Sequence, residues 1–154
     1  MPDSQPRTTH QRQADTNALL RSEVDLWVAS ADAAGDAYLV PLSFYWDGAR
    51  LVIATPDASR TARNLRRAAW ARVALGPPRD VVIVEGSVTF VSSADIEPRL
   101  ADAHAAAVGF DARASSEPYV YILLTPERMQ AWRSAAELRG RTIMSNGAWL
   151  AADD

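Results

Sequence analysis

"AYLVPLSFYWDGARLVIATPDASRTARNLRR" runs from Ala37 to Arg67, and its punctuation sets the architecture. Ala37–Trp46 is rich in aliphatic and aromatic side chains and reads as a strand. Asp47–Gly48 suits a tight primed turn, which makes it a strong hairpin signal. Arg50–Thr55 is then the returning strand. Pro41 has no amide hydrogen to give to a ladder, so its backbone position faces an edge, a bulge or a ligand. The strand ends in a stretch with four arginines (Arg60, Arg63, Arg66, Arg67), and no acid lies between Asp57 and Asp80. Asp57 or Ser59 can cap a helix there that runs to about Ala69.

Upstream, Leu19, Leu20 and Val24 sit at helical spacing. Leu26–Ala31 reads as a strand, followed by a turn at Gly35. Downstream, Ala71–Gly76 and Val81–Val91 read as strands. "SADIEPRLADAHAAAVGF" is an alanine-rich helix entered at Ser93 or Asp95. Tyr119–Pro126 is a sixth strand, and "RMQAWRS" is a candidate seventh. "TIMSNGAWL" closes as a hairpin around Asn146–Gly147. Antiparallel strands joined by hairpins, with two short helices inserted, suggest a barrel, because closure removes exposed edges. In Tyr119–Pro126, Val120, Ile122 and Leu124 face one way, and Tyr121 and Leu123 the other. A strand apolar on both faces is covered on both, which points to a contact with a second copy there. Trp27 and Trp70 read as packing residues.

The chain has 154 residues, 48% of them hydrophobic and 23% charged, as expected for one globular domain. We expect that domain to span residues 16–154, with the polar segment 1–15 as a disordered tail. The absence of cysteine excludes thiolate chemistry and fits a cytoplasmic protein. No apolar run suits a membrane helix, and the N-terminus lacks the apolar centre of a secretory signal. A net charge of -3 and the lack of a recognition motif argue against nucleic acid as a partner. The two histidines, His10 in the tail and His104 on the alanine-rich helix, support neither a metal site nor a Ser-His-acid set. His104 reads as a solvated helix residue. No catalytic side chain is assigned.

The arginine stretch has a chemical use. A helix N-terminus projects free amides, and Ser59, Thr61 and Arg60 would add donors and a planar cation. Together these make an anion site, above all for phosphate. Arg60, Arg63 and Arg67 share one helix face with Asn64 beside them, and Leu65 can face the core.

The series from Gly35 to Arg67, then "ARVALG" and "VVIVEGSV", resembles the pyridoxamine 5′-phosphate oxidase-like split-barrel flavoproteins. It is most similar to their actinobacterial flavin/deazaflavin oxidoreductase branch. The resemblance covers Leu26–Val91 well and continues more weakly through "YILLTPERMQAW" and "GRTIMSNGAWL". It implies a mainly β fold, a six-stranded antiparallel Greek-key split barrel, paired as a homodimer with cofactor sites at the interface. It implies FMN or the deazaflavin F420 as cofactor, and hydride transfer to a small organic substrate. A non-catalytic protein that binds or sequesters the cofactor is the alternative. Val40, Pro41, Leu42 and Ser43 would line the cofactor ring, and Ala54 and Thr55 would close the next strand around it. Ser59, Arg60 and Thr61 would meet the phosphate with Asn64 nearby, and Trp132 would approach from the partner. Thr61 stands where the family commonly has lysine, so Arg60 or Arg63 has to supply the charge. The C-terminal Arg-x-His substrate motif of pyridoxamine 5′-phosphate oxidase itself is missing, since no histidine follows Trp132.

Overall fold

Turn chemistry decides which strands become neighbours. In the computed structural model, which describes residues 5–151, the order is α1 (Thr9–Ser22), β1 (Asp25–Ala31), β2 (Ala37–Trp46), β3 (Leu51–Pro56), α2 (Arg60–Ala68), β4 (Trp70–Leu75), β5 (Val81–Ser92), α3 (Pro98–Val108), β6 (Tyr119–Trp132), β7 (Thr142–Ser145) and β8 (Ala148–Trp149). Gly48 and the pair Asn146–Gly147 have positive φ at the tips of the β2–β3 and β7–β8 hairpins, as those turns require. Every pairing is antiparallel. β1 lies between β2 and β4, β5 joins β4 to β6, and β3 pairs with β6 to close a six-stranded barrel. The hairpin β7–β8 continues from the far half of β6. The fold is therefore mainly β, in Greek-key order, as the resemblance implied.

Alternation along the strands fills the barrel. Leu26, Val28, Phe44, Ile53, Val73, Val84 and Ile122 point inward, and Leu20 of α1 with Ala62 and Leu65 of α2 pack against them. A second cluster lies outside the barrel. There Val52, Tyr121 and Leu123 are covered by Ile96, Ala101 and Ala112. β6 is indeed apolar on both faces, but α3 and its flanking turns cover the outer one. That corrects the reading of Tyr119–Pro126 as a contact with a second copy: helix burial within one chain accounts for the pattern.

Three further expectations change. β6 is one strand of 14 residues rather than two. The ladder with β5 shifts between Glu85 and Gly86, opposite Pro126, and such a bulge accommodates a residue without an amide hydrogen. α3 starts at Pro98, the first-turn position that best tolerates proline, and not at Ser93 or Asp95. The helix α1 begins at Thr9, inside the segment expected as tail; residues 1–4 of that tail lie outside the described residues. A capping box between Thr8 and Gln11 starts it. Polar anchors hold it down: Arg7 donates to both carboxylate oxygens of the buried Glu137 from Nε and Nη2, at 3.0 and 2.8 Å, and the buried Arg12 donates to the Gly140 carbonyl at 2.7 Å. Apolar spacing alone could not reveal a helix held by such bonds. Among the described residues no helix is long and apolar enough to cross a membrane.

Candidate functional site

β2 is paired with β3 for only a short distance. The register runs Trp46↔Leu51, Tyr45↔Val52 and Phe44↔Ile53, and then ends. From Ser43 back to Ala37, β2 keeps β1 as its neighbour. From Ala54 onward, β3 keeps β6. Pro41 therefore stands where β2 has no β3 partner to bond, which explains why proline is tolerated in mid-strand. The wedge between the parted strands holds a cleft of about 430 Å³, walled by Pro41, Leu42, Ser43 and Ala54, and by His104, Val108, Phe110 and Tyr119 on the other side. Asp25 completes its rim and accepts a 2.7 Å hydrogen bond from the Ser43 hydroxyl.

Four expected ring-lining residues, Pro41, Leu42, Ser43 and Ala54, meet in this cleft. Val40 is half-buried on the inward side of β2 and is not on the wall. Thr55 is buried at the end of β3, its hydroxyl 3.3 Å from that of Ser59. Ser59 is the N-cap of α2 and accepts from the Ala62 amide at 3.1 Å. The first turn of α2 thus follows directly from the cleft wall at Ala54.

The arginines divide into two pairs. Arg66 is paired with Asp57 and lies 4.7 Å over the Phe90 ring. Arg67 donates to the Ala31 carbonyl at 2.8 Å. Both tie the helix to its surroundings. Arg60 and Arg63 lie in the first turn, exposed like the other two, and Arg63 donates to the Ala58 carbonyl at 2.5 Å. Arg60 stacks 5.1 Å over Tyr38 and stands 3.7 Å from Asp36, which is itself exposed. Thr61 is only 3% exposed, and Asn64 is buried with its amide donating to the Ser30 hydroxyl at 3.1 Å. These two lie on the barrel side of α2, away from its arginine face. Trp132 sits at the end of β6 opposite Val81, under the Arg141 guanidinium at 5.7 Å, and is not part of the cleft wall in its own chain.

One correction concerns a single residue. His104 is 2% exposed, not solvated. It meets the Tyr121 ring edge-on at 5.6 Å, and both its ring nitrogens and the Tyr121 hydroxyl lack a hydrogen-bond partner among the described residues. Burial pushes the imidazole pKa below its usual value, against the pull of nearby Asp111. The signal was present in the helix period: Ala101, His104 and Val108 fall on one face of α3. Trp27 and Trp70 are not core residues, being 50% and 40% exposed. Strand alternation points Leu26 and Val28 inward and so turns Trp27 outward. Trp27 lies beside Pro41 in the ladder, and Leu39, 60% exposed, is two residues along β2 on the same face. A second cleft of about 420 Å³ opens here, between Trp27, Gly76 and Pro77, and shares Asp25 and Pro41 with the first.

Comparison with known proteins adds the family context. The family model described as pyridoxamine 5′-phosphate oxidase matches residues 13–133. No curated protein matches the chain. Solved structures do. An F420 reductase is 17% identical, with 73% of this chain and 94% of that one covered at a TM-score of 0.58. A pyridoxamine 5′-phosphate oxidase-related, FMN-binding protein from Nostoc punctiforme is 19% identical, with coverages of 85% and 87% and a TM-score of 0.57. General Stress Protein 26 from Bacillus anthracis is 16% identical, with coverages of 79% and 93% and a TM-score of 0.64. At such identities the likeness is one of fold.

Proposed function

The chain belongs to the pyridoxamine 5′-phosphate oxidase family of split-barrel proteins, and from that membership we propose that it is an oxidoreductase that holds FMN or the deazaflavin F420 in the cleft where β2 and β3 part. The observation that carries this reading is the continuity of that cleft with the first turn of α2. An apolar slot walled by Pro41, Leu42 and Ala54 suits a flat ring. Two residues from Thr55 to Pro56 and a short turn then lead to Ser59, whose helix end and exposed Arg60 and Arg63 suit a phosphate.

The bound cofactor supplies a ring that accepts and returns a hydride. The chain supplies everything else. Its apolar walls keep water from the ring, which favours hydride over proton chemistry. Arg60 and Arg63 hold the anionic end. Thr55, Ser59, Thr61 and Asn64 act by fixing the helix end in place, since their side chains are buried or already bonded within the fold. The longer anionic tail of F420 uses an arginine face more fully than the single phosphate of FMN. The substrate is a small oxidised organic molecule. Pyridoxamine phosphate is not the substrate we propose, given the missing C-terminal histidine motif.

The site works as one of a pair in a homodimer within the cytoplasm. The outer face of β2, β1 and β4, with Leu39, Trp27 and Trp70 exposed, is where a second copy docks, bringing its own Trp132 toward the cleft. Sedimentation of Trp27→Glu tests this: we expect a folded monomer, and an unchanged dimer removes that face from the interface.

Fluorescence titration with FMN and with F420 tests the cofactor reading, followed by mixing the reduced complex with quinones, nitroaromatics and enones. Binding with oxidation of the cofactor by one of these classes supports the enzyme. Binding with no oxidation makes the protein a carrier. Binding of neither cofactor overturns the proposal.

A further inference from the structure

We propose that α3 is a pH-sensitive lid on the cleft, latched while His104 is neutral and released when that imidazole takes up a proton. The lid stands on the geometry of α3, and its bearing on a bound cofactor rests on the reading above. The helix is thinly held. Of its 11 residues only Ala101 and His104 are buried. An alanine sinks one methyl group, so the imidazole is the larger of the two anchors. Ile96 before the helix and Ala112 after it complete the cover over Val52, Tyr121 and Leu123. An element with so little buried apolar surface opens locally before the rest of a fold. Lifting it uncovers the cleft, because His104 and Val108, with Phe110 just beyond, make one of its walls.

The latch is electrostatic. His104 is 2% exposed and meets the Tyr121 ring edge-on at 5.6 Å, and neither nitrogen has a partner among the described residues. The protonated ring carries a charge and two donors, and burying an unpaired charge costs far more than burying a neutral polar group. The surrounding groups do not compensate. Tyr121 of β6 is a phenol whose own pKa burial raises. Asp111, in the turn after α3, favours the charged ring, but Arg113 clasps its carboxylate and also binds Asp102 on the exposed side of the helix. Tyr45 of β2 and Tyr119 of β6 bring only phenols to the layer. Asp25 at the cleft rim is engaged by Ser43, and Glu97 and Arg99 are exposed at the start of α3. Burial therefore holds the imidazole pKa below its ordinary 6.5. The open lid binds the proton more tightly than the closed one, so falling pH drives opening from about 6.5 downward. The proton enters as α3 lifts, and the charge then resists reclosure.

Hydrogen exchange on the ligand-free protein tests the lid. After correction for intrinsic exchange, amide protection across α3 should fall at least about tenfold from about pH 8 to about pH 5, while β1 and β4 keep theirs. Glu137, with its pKa held at about 2, stays charged throughout. His104→Leu should keep α3 protected at both ends. FMN affinity should fall at least about tenfold more in the parent than in His104→Leu over the same range, a comparison that removes the titration of the FMN phosphate itself. Unchanged protection of α3 in the parent, or an equal loss in His104→Leu, overturns the inference, as does an FMN affinity that follows pH alike in both proteins. If the parent binds neither FMN nor F420, the cofactor reading falls and exchange alone decides the lid. Should His104→Leu not fold, NMR titration of the parent decides. The second histidine, His10, is exposed, and His10→Asn assigns the two signals. His104 should titrate at the pH where α3 opens, and separate midpoints overturn the latch.

Discussion

Phe44 and Ile53 face each other as the last pair between β2 and β3, and one residue further along the strands have separated, with Ser43 opposite Asp25 and Ala54 opposite Tyr121. The separation follows from divided loyalties. β2 is held by β1 along its first seven residues and β3 by β6 along its whole length, so the two cannot stay together. The cleft is the result, and its width at Ala54 depends on a single methyl group. Ala54→Phe should fill the slot, leave the barrel folded, and weaken FMN or F420 by at least about tenfold. Titration of the variant beside a melting curve checks both halves of that statement.

Arg60 is proposed to hold the cofactor's anionic end. Its guanidinium is half-exposed and opposed by a still more exposed Asp36, so its contribution belongs at the low end for a charged hydrogen bond. Arg60→Ala should weaken FMN about tenfold and leave riboflavin unaffected. The loss should shrink at high salt, because exposed charges are screened. Calorimetry at two salt concentrations, with both ligands, measures this.

Glu137 gives the fold an acid limit. Its carboxylate accepts bonds from the Arg7 side chain and from the Arg7 and Arg133 amides. The Arg7 guanidinium, first, holds its pKa well down, to about 2 against an ordinary 4.5. A carboxylate with a depressed folded-state pKa stabilises fully above its unfolded value and loses that contribution as pH falls. The melting temperature should therefore decline from about pH 4.5 to pH 2 through this group. Glu137→Gln should be less stable at pH 7 and should show a flatter acid limb over the same window.

Gly86 has no room for a side chain. A Cβ there would lie 1.9 Å from the Thr125 carbonyl oxygen, a contact with backbone that no rotamer can relieve. Gly86→Ala should cost about 3 kcal/mol or more, read by denaturant unfolding. Gly35→Ala is the contrast: nothing stands within 4 Å of its Cβ, although its positive φ makes the substitution mildly unfavourable.

What could be read in advance depended on the range of the interaction. Hairpin signals at Asp47–Gly48 and Asn146–Gly147 act over two residues, and both turns formed where they were expected. Ser59 capped α2 from its own position. The start of α1 was not legible, because Arg7 and Arg12 are held by Glu137 and Gly140, more than 120 residues away. Continuity of β6 through Pro126 depended on how it pairs with distant β5, where Glu127 is passed over between Glu85↔Arg128 and Gly86↔Pro126. The cleft shows the same division. Pro41 announced an unusual backbone position, but the opposite wall is made by α3, whose helix period placed His104 on a face without saying what that face met.

By itself the order of residues determined the first five strands, the hairpin turns and the family, since alternation, glycine turns and caps are local physics written within a few positions. Tertiary structure alone decided which apolar faces were closed and which left open. β6 was covered by a helix of its own chain, Trp27 was turned outward, and an imidazole was buried without a partner among the described residues. Those outcomes depend on which distant surfaces meet, and burial is a property of the assembled layers rather than of any one segment.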